Sequence, residues 1–83
     1  MNRAIAQTLN SMKIGREGII DKITAHSELK HRLLSLGFIK GNNIKLIAKS
    51  AAKETVVISL DRGQYALRAN EAEHIVVMQN IER

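Results

Sequence analysis

The chain has 83 residues and is predicted to form a single domain over residues 1–83; a domain of this size hides only roughly 60–65% of its unfolded surface, which leaves little room for a deep active site. It has no cysteine, which excludes disulfides and thiolate zinc sites, and no apolar run near the ~20 residues that a membrane-spanning helix needs. A net charge of +5 favours an anionic partner, such as nucleic acid, phospholipid headgroups or an acidic protein face.

The N-terminal part of the chain is predicted to contain a short helix or turn followed by the first strand. Ile5, Leu9 and Met12 have i, i+4, i+7 spacing, which is typical of one face of a helix. Two glycines then interrupt this pattern. The segment GIIDKIT (18–24) is rich in β-branched residues and is therefore predicted to be a strand.

One well-defined helix is predicted between the first and the second strand. Leu29, Leu33 and Leu36 fall on one face of the segment 28–36, and polar residues cover its other sides. Ser27 is a suitable N-cap because its hydroxyl can accept a hydrogen bond from a free backbone N–H. The three leucines are expected to pack against the core and so to have structural roles.

Two glycines after this helix are expected to shape the turn into the second strand. Gly37 readily takes the left-handed conformation that ends a helix, because it has no Cβ. Phe38 is then expected to fold back onto Leu33. Gly41 is expected to lie in the turn before IKLIAK (44–49). All of these residues are interpreted as structural.

The rest of the chain is predicted to form a meander and a final strand. Val56, Ile58 and Leu60 lie on one face of a strand, and Gly63 is expected to supply a positive φ in the turn that follows. The predicted strands are 18–24, 44–49, 55–60, 64–68 and 74–78. Five short strands can close into a small barrel, which removes exposed edges. The predicted fold is mainly β: a small five-stranded barrel with one short α-helix between the first and second strands.

Three stretches together carry a pattern of apolar residues and glycines that extends over nearly the whole chain. They are L-x-x-M-x-x-G-x-x-G-x-I (9–20), LLSLGFIKG (33–41) and EAEHIVV (71–77), of which the last two are the most specific. In these stretches the chain resembles the FeoA family, ferrous iron transport protein A. The resemblance implies an SH3-like β-barrel, a fold shared with the C-terminal domain of iron-dependent repressors. It also implies a non-catalytic accessory or regulatory protein of bacterial ferrous iron uptake.

The resemblance further implies a cytoplasmic protein that acts together with FeoB, a membrane-bound ferrous iron transporter. The implied contact is with the GTP-hydrolysing domain of FeoB or with its cytoplasmic membrane-proximal face. Peripheral contact with the inner face of the cytoplasmic membrane fits the positive charge, since each nearby Lys or Arg contributes about 1 kcal/mol at an anionic leaflet. One loop, 50–54, departs from the family, whose members often carry Gly-Asp-Pro there. Weak self-association through edge strands is left open.

No catalytic, cofactor or metal site is predicted. His26 and His31 are five residues apart, which turns them ~140° from each other on a helix, and no H-E-x-x-H or H-x-x-E-H motif occurs. A weak surface site for a divalent ion is left open. The serines lack a glycine elbow and no acids pair in an obvious cleft, so the parts of an enzyme are missing. Gly37 and Gly41 face the negative end of a helix, which disfavours phosphate binding.

A basic barrel that binds nucleic acid is the alternative function. Seven basic residues could form a stripe: Lys30, Arg32, Lys40, Lys45, Lys49, Lys53 and Arg68. Barrels that bind single strands also stack bases on aromatic side chains, whereas this chain has only Phe38 and Tyr65, and both fit core positions. Contact with a protein is therefore favoured over contact with nucleic acid.

The candidate partner surface is the polar side of the predicted helix and the loop after it. Its residues are Lys30, His31, Arg32, Ser35 and Lys40. Charged helix faces are usually just solvated, so solvation and partner contact are both left open for this surface. If the helix binds a partner, this outward side is where the contact is expected.

Overall fold

The computed structural model describes residues 3–81, and the side chains of residues 4–79 within that range. The elements are β1 (Arg3–Thr8), a 3₁₀ turn (Leu9–Ser11), β2 (Glu17–Ile23), α1 (Ser27–Leu36), β3 (Asn43–Lys49), β4 (Thr55–Leu60), β5 (Gly63–Arg68), α2 (Ala69–Ala72) and β6 (Ile75–Ile81). Neither helix in this range has the length and apolar composition that crossing a lipid bilayer requires.

The first described element is a strand, so the prediction that a short helix or turn opens the chain is wrong for residues 3–8, and a 3₁₀ turn follows only at Leu9–Ser11. The strands within residues 3–81 number six instead of five. The spacing of Ile5, Leu9 and Met12 extends over two elements, because Ile5 lies in β1 and the other two are anchored in the core in and after the 3₁₀ turn. Pairing with β6 along all of β1 stabilises the strand, and this long-range pairing overrides the local spacing. α1 accordingly lies between the second and third strands.

All six strands of residues 3–81 form one antiparallel sheet in the order β1-β6-β2-β3-β4-β5. Register shifts occur between Ile20 and Lys22 in β2 and between Leu46 and Ala48 in β3, and such irregularities let strands bend. The 3₁₀ turn contacts α2, which also packs against β4 and β5. These two short elements therefore connect the opposite edges of the sheet, and the result is a small SH3-like barrel.

α1 lies where the amphipathic pattern predicts it and presents its leucines to the core. Leu33 is fully buried, while Leu29 and Leu36 are partly buried and pack against the same cluster. The helix begins at Ser27, and its N-cap is His26, whose side chain makes no capping hydrogen bond. The predicted Ser27 cap is therefore wrong by one residue, and burial of the leucine face stabilises the helix instead.

α1 ends in a Schellman motif at Gly37. The Gly37 backbone is left-handed, with φ 109° and ψ 9°. Its N–H donates to the carbonyl of Leu34, and the N–H of Phe38 donates to the carbonyl of Leu33, both at 3.0 Å. The motif turns Phe38 into the core beside Leu33, where both are completely buried.

The other two glycines of the predicted scaffold lie in the loops that connect strands. Gly41, with φ 96°, donates its N–H to the carbonyl of Ile20 at 2.8 Å, which fastens the loop after α1 to β2. Gly63, with φ 159°, is the first residue of β5 and pairs with Leu60 across a two-residue turn. The glycines thus hold the loop after α1 and the β4–β5 turn in place.

One cluster of aliphatic side chains and one phenylalanine fills the interior. Its members are Leu9, Met12, Ile20, Leu33, Phe38, Ile44, Leu46, Val56, Ile58, Leu60, Leu67, Ala72, Ile75 and Val77. Tyr65 packs against this cluster, with its ring centroid 6.1 Å from that of Phe38 and the ring planes tilted by 58°. Such a tilted aromatic pair is favourable because the ring edge of one faces the π-cloud of the other.

Candidate partner-binding surface

The five residues predicted to form a partner surface are exposed, but they do not share one face. They are Lys30, His31, Arg32, Ser35 and Lys40. Measured around the helix from the buried Leu33, His31 and Ser35 point about 160° away, almost directly outward. Arg32 lies about 100° to one side and Lys30 about 60° to the other. The fifth residue follows the helix, in the loop.

The Arg32 side of α1 is joined to α2 through Glu71. The Arg32 guanidinium forms an ion pair with the Glu71 carboxylate, and the backbone N–H of Arg68 donates to Glu71 Oε1 at 3.1 Å. The charge of Arg32 is therefore compensated within the chain. Lys30 and Lys40 form no ion pair among residues 3–81, so they are the more available cations for an anionic partner.

The environment of the Glu71 carboxyl favours its charged form. Burial on its own raises the pKa of Glu71, but the hydrogen bonds from the Arg68 backbone and the Arg32 guanidinium, with the positive charges of both arginines, outweigh it. The pKa therefore lies below its ordinary value of 4.5. Because it is lowered in the folded state, the pair stabilises the fold above about pH 4.5, and this stabilisation is lost as the pH falls below that value.

Glu71→Gln should lower the melting temperature at pH 7 but have a smaller effect at pH 3, where the wild-type carboxyl is increasingly protonated. We expect a loss below about 1 kcal/mol at pH 7, because the Arg32 side chain is 53% exposed and solvent screens the pair. Thermal unfolding at both pH values measures the difference. Glu73→Gln, on an exposed neighbour, is the control; an equal effect of the two variants at pH 7 would contradict the role of the pair.

An open groove of about 580 Å³ lies beside the Lys30 side of α1. Leu34 and Ser35 of α1 and Ile39 of the following loop line it, together with Asp61 and Arg62 of the β4–β5 turn and Tyr65 of β5. Leu34 and Ile39 are both exposed, Ile39 to 49%. Solvent exposure of two adjacent large aliphatic side chains costs free energy, so a partner that covered them would bind with favourable burial of apolar surface.

The loop that carries Ile39 is held rigidly by hydrogen bonds. The Asn42 side-chain amide donates to the carbonyl of Gly37 at 2.9 Å, and the Asn42 backbone N–H donates to the carbonyl of Ile39 at 3.0 Å. The carbonyl of Asn42 accepts from the N–H of Ile20 in β2, at 2.9 Å. Ile39 is thus fixed at the outer side of a braced loop, which reduces the entropy that binding would cost.

The sequence-based prediction included only Ser35 of this lining in the partner surface, because the other lining residues come from segments far apart in the chain or were interpreted as structural. Leu34 reads as an extra apolar residue beside the buried helix face, and Tyr65 as a core residue. Ile39 was the available signal. It stands two residues after the helix-ending Gly37, where Phe38 already fills the position that folds back onto the helix. A second large aliphatic residue there has no place in the motif.

Neither a metal site nor an aromatic platform for bases is found in the described part of the chain. No three His, Asp or Glu side chains among residues 3–81 are grouped as metal ligands would be. Of the two aromatic rings in the sequence, Phe38 is completely buried and Tyr65 is half-buried against it. An exposed row of stacking rings, which single-strand-binding barrels use, is therefore missing.

Comparison with known proteins identifies the family. The FeoA domain family model matches residues 7–79. A Campylobacter jejuni protein named as Fe(2+) transport protein A is 47% identical over 70 residues, which cover 84% of this chain and 95% of the relative. FeoA from Stenotrophomonas maltophilia, solved in complex with zinc and described as an SH3 domain protein, is 25% identical, with a TM-score of 0.80 and coverage of 93% and 98%.

A regulator of transcription shows the same fold. A manganese-dependent transcriptional repressor superimposes with a TM-score of 0.84 at 18% identity, and the match covers 93% of this chain and 43% of the repressor. At this identity the likeness concerns the fold alone, and it agrees with the SH3-like barrel that the family resemblance implies. Because the family model covers most of the chain and a relative matches at 47% identity, the chain belongs to the FeoA domain family.

Proposed function

We propose that this chain is a non-catalytic accessory protein of bacterial ferrous iron uptake, which works in the cytoplasm by binding the transporter FeoB. Membership of the FeoA family carries this proposal, together with the name Fe(2+) transport protein A of its Campylobacter jejuni relative. The two sources of support are independent of any site chemistry. Neither of them indicates which surface makes the contact.

The groove and its basic surroundings are the proposed contact with FeoB. Leu34 and Ile39 offer exposed apolar surface, Lys30 precedes Leu34 by one helical turn, and Lys40 follows Ile39 directly. The occupant that fits is a cytoplasmic segment of FeoB with apolar side chains flanked by acidic residues. Apolar anchors supply most of the binding free energy at interfaces, while such surrounding charges mainly accelerate association and select the partner.

Calorimetric titration of the chain with the cytoplasmic GTPase domain of FeoB, with and without nucleotide, tests the proposed function. We expect binding with a dissociation constant of tens of micromolar or tighter. A parallel titration uses FeoB in detergent, which presents the membrane-proximal face as well. If neither the isolated GTPase domain nor FeoB in detergent bound the chain at about 100 µM, the proposal would be contradicted.

Ile39→Asp should weaken binding to FeoB about tenfold or more, since it removes an apolar anchor and places a negative charge toward an acidic partner. Ile14→Asp is the matched control, because Ile14 is 60% exposed and lies outside the groove. We expect the control to bind within about twofold of wild type. An equal loss of affinity in Ile39→Asp and Ile14→Asp would show that the groove is not the contact, although the wild-type chain binds FeoB.

Salt dependence separates this proposal from the nucleic-acid alternative. Attraction of a chain with net charge +5 to phosphates falls steeply with added salt, whereas a contact with apolar anchors persists. Gel shifts with single-stranded and duplex probes at about 0.15 M salt are expected to show no complex. A complex that persisted there, without FeoB binding, would favour the alternative.

A further inference from the structure

β1 is an edge strand with one side open. It pairs with β6 through six consecutive residue pairs, from Arg3–Ile81 to Thr8–Val76, and no other strand within residues 3–81 pairs with it. The backbone N–H and C=O groups that alternate residues direct away from β6 are a template on which another strand can pair.

β1 lacks the features that usually prevent edge-to-edge pairing. Its register with β6 has no shift, the chain contains no proline, and no residue from Ala4 to Thr8 is charged. The opposite edge strand, β5, is different: it ends in Arg68, and α2 follows at once and packs against it. Of the two edges, β1 is therefore the one that is open to another strand.

An apolar side chain lies at the centre of this open edge. Ile5 is paired with the buried Gln79 on the inner side of the sheet, yet it remains 44% exposed, because no strand lies beyond β1 to cover it. The Gln7 amide donates to Gln79 Oε1, so these two side chains bind each other within the sheet. An added strand would meet an uncovered isoleucine at the centre of the edge.

We propose that β1 pairs antiparallel with β1 of a second copy of this chain, across a two-fold axis at Ile5. Directly opposite residues in an antiparallel pair point to the same face of the sheet, and centring on Ile5 satisfies this condition. Ile5 then lies opposite its own copy, Ala4 opposite Ala6, and Arg3 opposite Gln7. No like charges are opposed, and the surface is self-complementary, as a two-fold interface requires.

Among the two-fold registers of β1 with its copy, the one centred on Ile5 buries the most apolar surface. Centring the axis on Ala6 also keeps the faces matched, but it places Ile5 opposite Gln7 and covers less apolar surface. The interface involves only the six residues of β1 in each copy, so it falls below the roughly 1,200 Å² of a stable complex, and the dimer is weak. Each copy has a net charge of +5, so added salt strengthens the dimer by screening repulsion.

Sedimentation equilibrium between about 10 µM and about 1 mM chain, at low salt and at about 0.5 M salt, tests the proposal. The weight-average mass should rise from 9.3 kDa toward twice that value, by roughly 1.5-fold at the highest concentration, and further with salt. Ile5→Lys should abolish the increase, because two lysines would then face each other across the axis. Ile14→Lys, the same change at an exposed isoleucine outside β1, should leave it intact.

Circular dichroism melts keep the test interpretable, since Ile5→Lys must melt close to wild type before its mass is compared. Hydrogen exchange of the wild-type chain should show β1 amides that become more protected as concentration rises. A mass of 9.3 kDa throughout, or equal effects of Ile5→Lys and Ile14→Lys, would overturn the proposal. Protection of β1 only when FeoB is added would also overturn it, because the occupant would then be a partner strand.

Discussion

Replacing Phe38 by alanine should lower the free energy of unfolding by about 3–5 kcal/mol, the cost of removing a large aromatic side chain from a packed core. Phe38 is completely buried, and its ring packs against Tyr65. Domains of this size have roughly 4–12 kcal/mol of stability in total, at about 0.05–0.15 kcal/mol per residue. The variant should therefore be marginally folded, with its urea midpoint shifted strongly downward.

Urea titration of wild type and variant, followed by circular dichroism, measures this effect. A shifted midpoint with an unchanged slope indicates lost stability, whereas a changed slope would indicate a less compact native or unfolded state. Ile39→Ala is the control, because this neighbour is half-exposed in the groove and should change stability by no more than about 0.5 kcal/mol. A loss below about 1.5 kcal/mol for Phe38→Ala would contradict the packing described for α1 and its loop.

The predictable parts of the fold are those whose signals are local. β4 alternates strictly between buried and half-buried residues, and the leucine face of α1 ends at a glycine, so both elements could be located from short segments. β1 could not, because its strand conformation depends on pairing with β6, more than 60 residues away in the chain. The helical spacing of Ile5, Leu9 and Met12 is a coincidence of two adjacent elements.

The candidate surface shows the same division between local and long-range information. Exposure of Lys30, His31 and Arg32 follows from the amphipathic pattern of α1, and the structure has all three at the surface. Neutralisation of Arg32 by Glu71 depends on how α1 packs near α2, which no local pattern indicates. The groove beside Ile39 likewise requires β5 to approach the loop after α1. Charge could be assigned to the helix from sequence, but its availability to a partner could not.

Gly18 is the residue whose role changed most between sequence and structure. In the sequence it interrupts an apolar pattern and is the first residue of the first predicted strand. In the structure it lies inside β2, where an added Cβ would be 2.3 Å from Val77 Cγ1 and 2.9 Å from the backbone oxygen of Met78. Both distances are shorter than real Cβ contacts, so β6 approaches β2 too closely for any side chain at this position.

Gly18→Ala should therefore destabilise the fold by at least about 2 kcal/mol, although alanine usually stabilises an unstrained strand relative to glycine. The Val77 methyl can be removed but the Met78 backbone cannot, so the clash has two separable parts. In a Val77→Ala background, Gly18→Ala should cost less than in wild type, with a coupling of about 0.5 kcal/mol or more between the two sites. Urea titration of the four proteins gives this cycle.

Strict additivity of the two substitutions would show that the Val77 contact is not the cause of the destabilisation. A neutral Gly18→Ala would mean that β2 and β6 are further apart than in the structure. Lys22→Ala, an exposed change in the same strand, should leave stability within about 0.5 kcal/mol. The strength of this effect follows from position: Val77 is at the centre of the core, and β6 is the strand that joins β2 to the β1 edge.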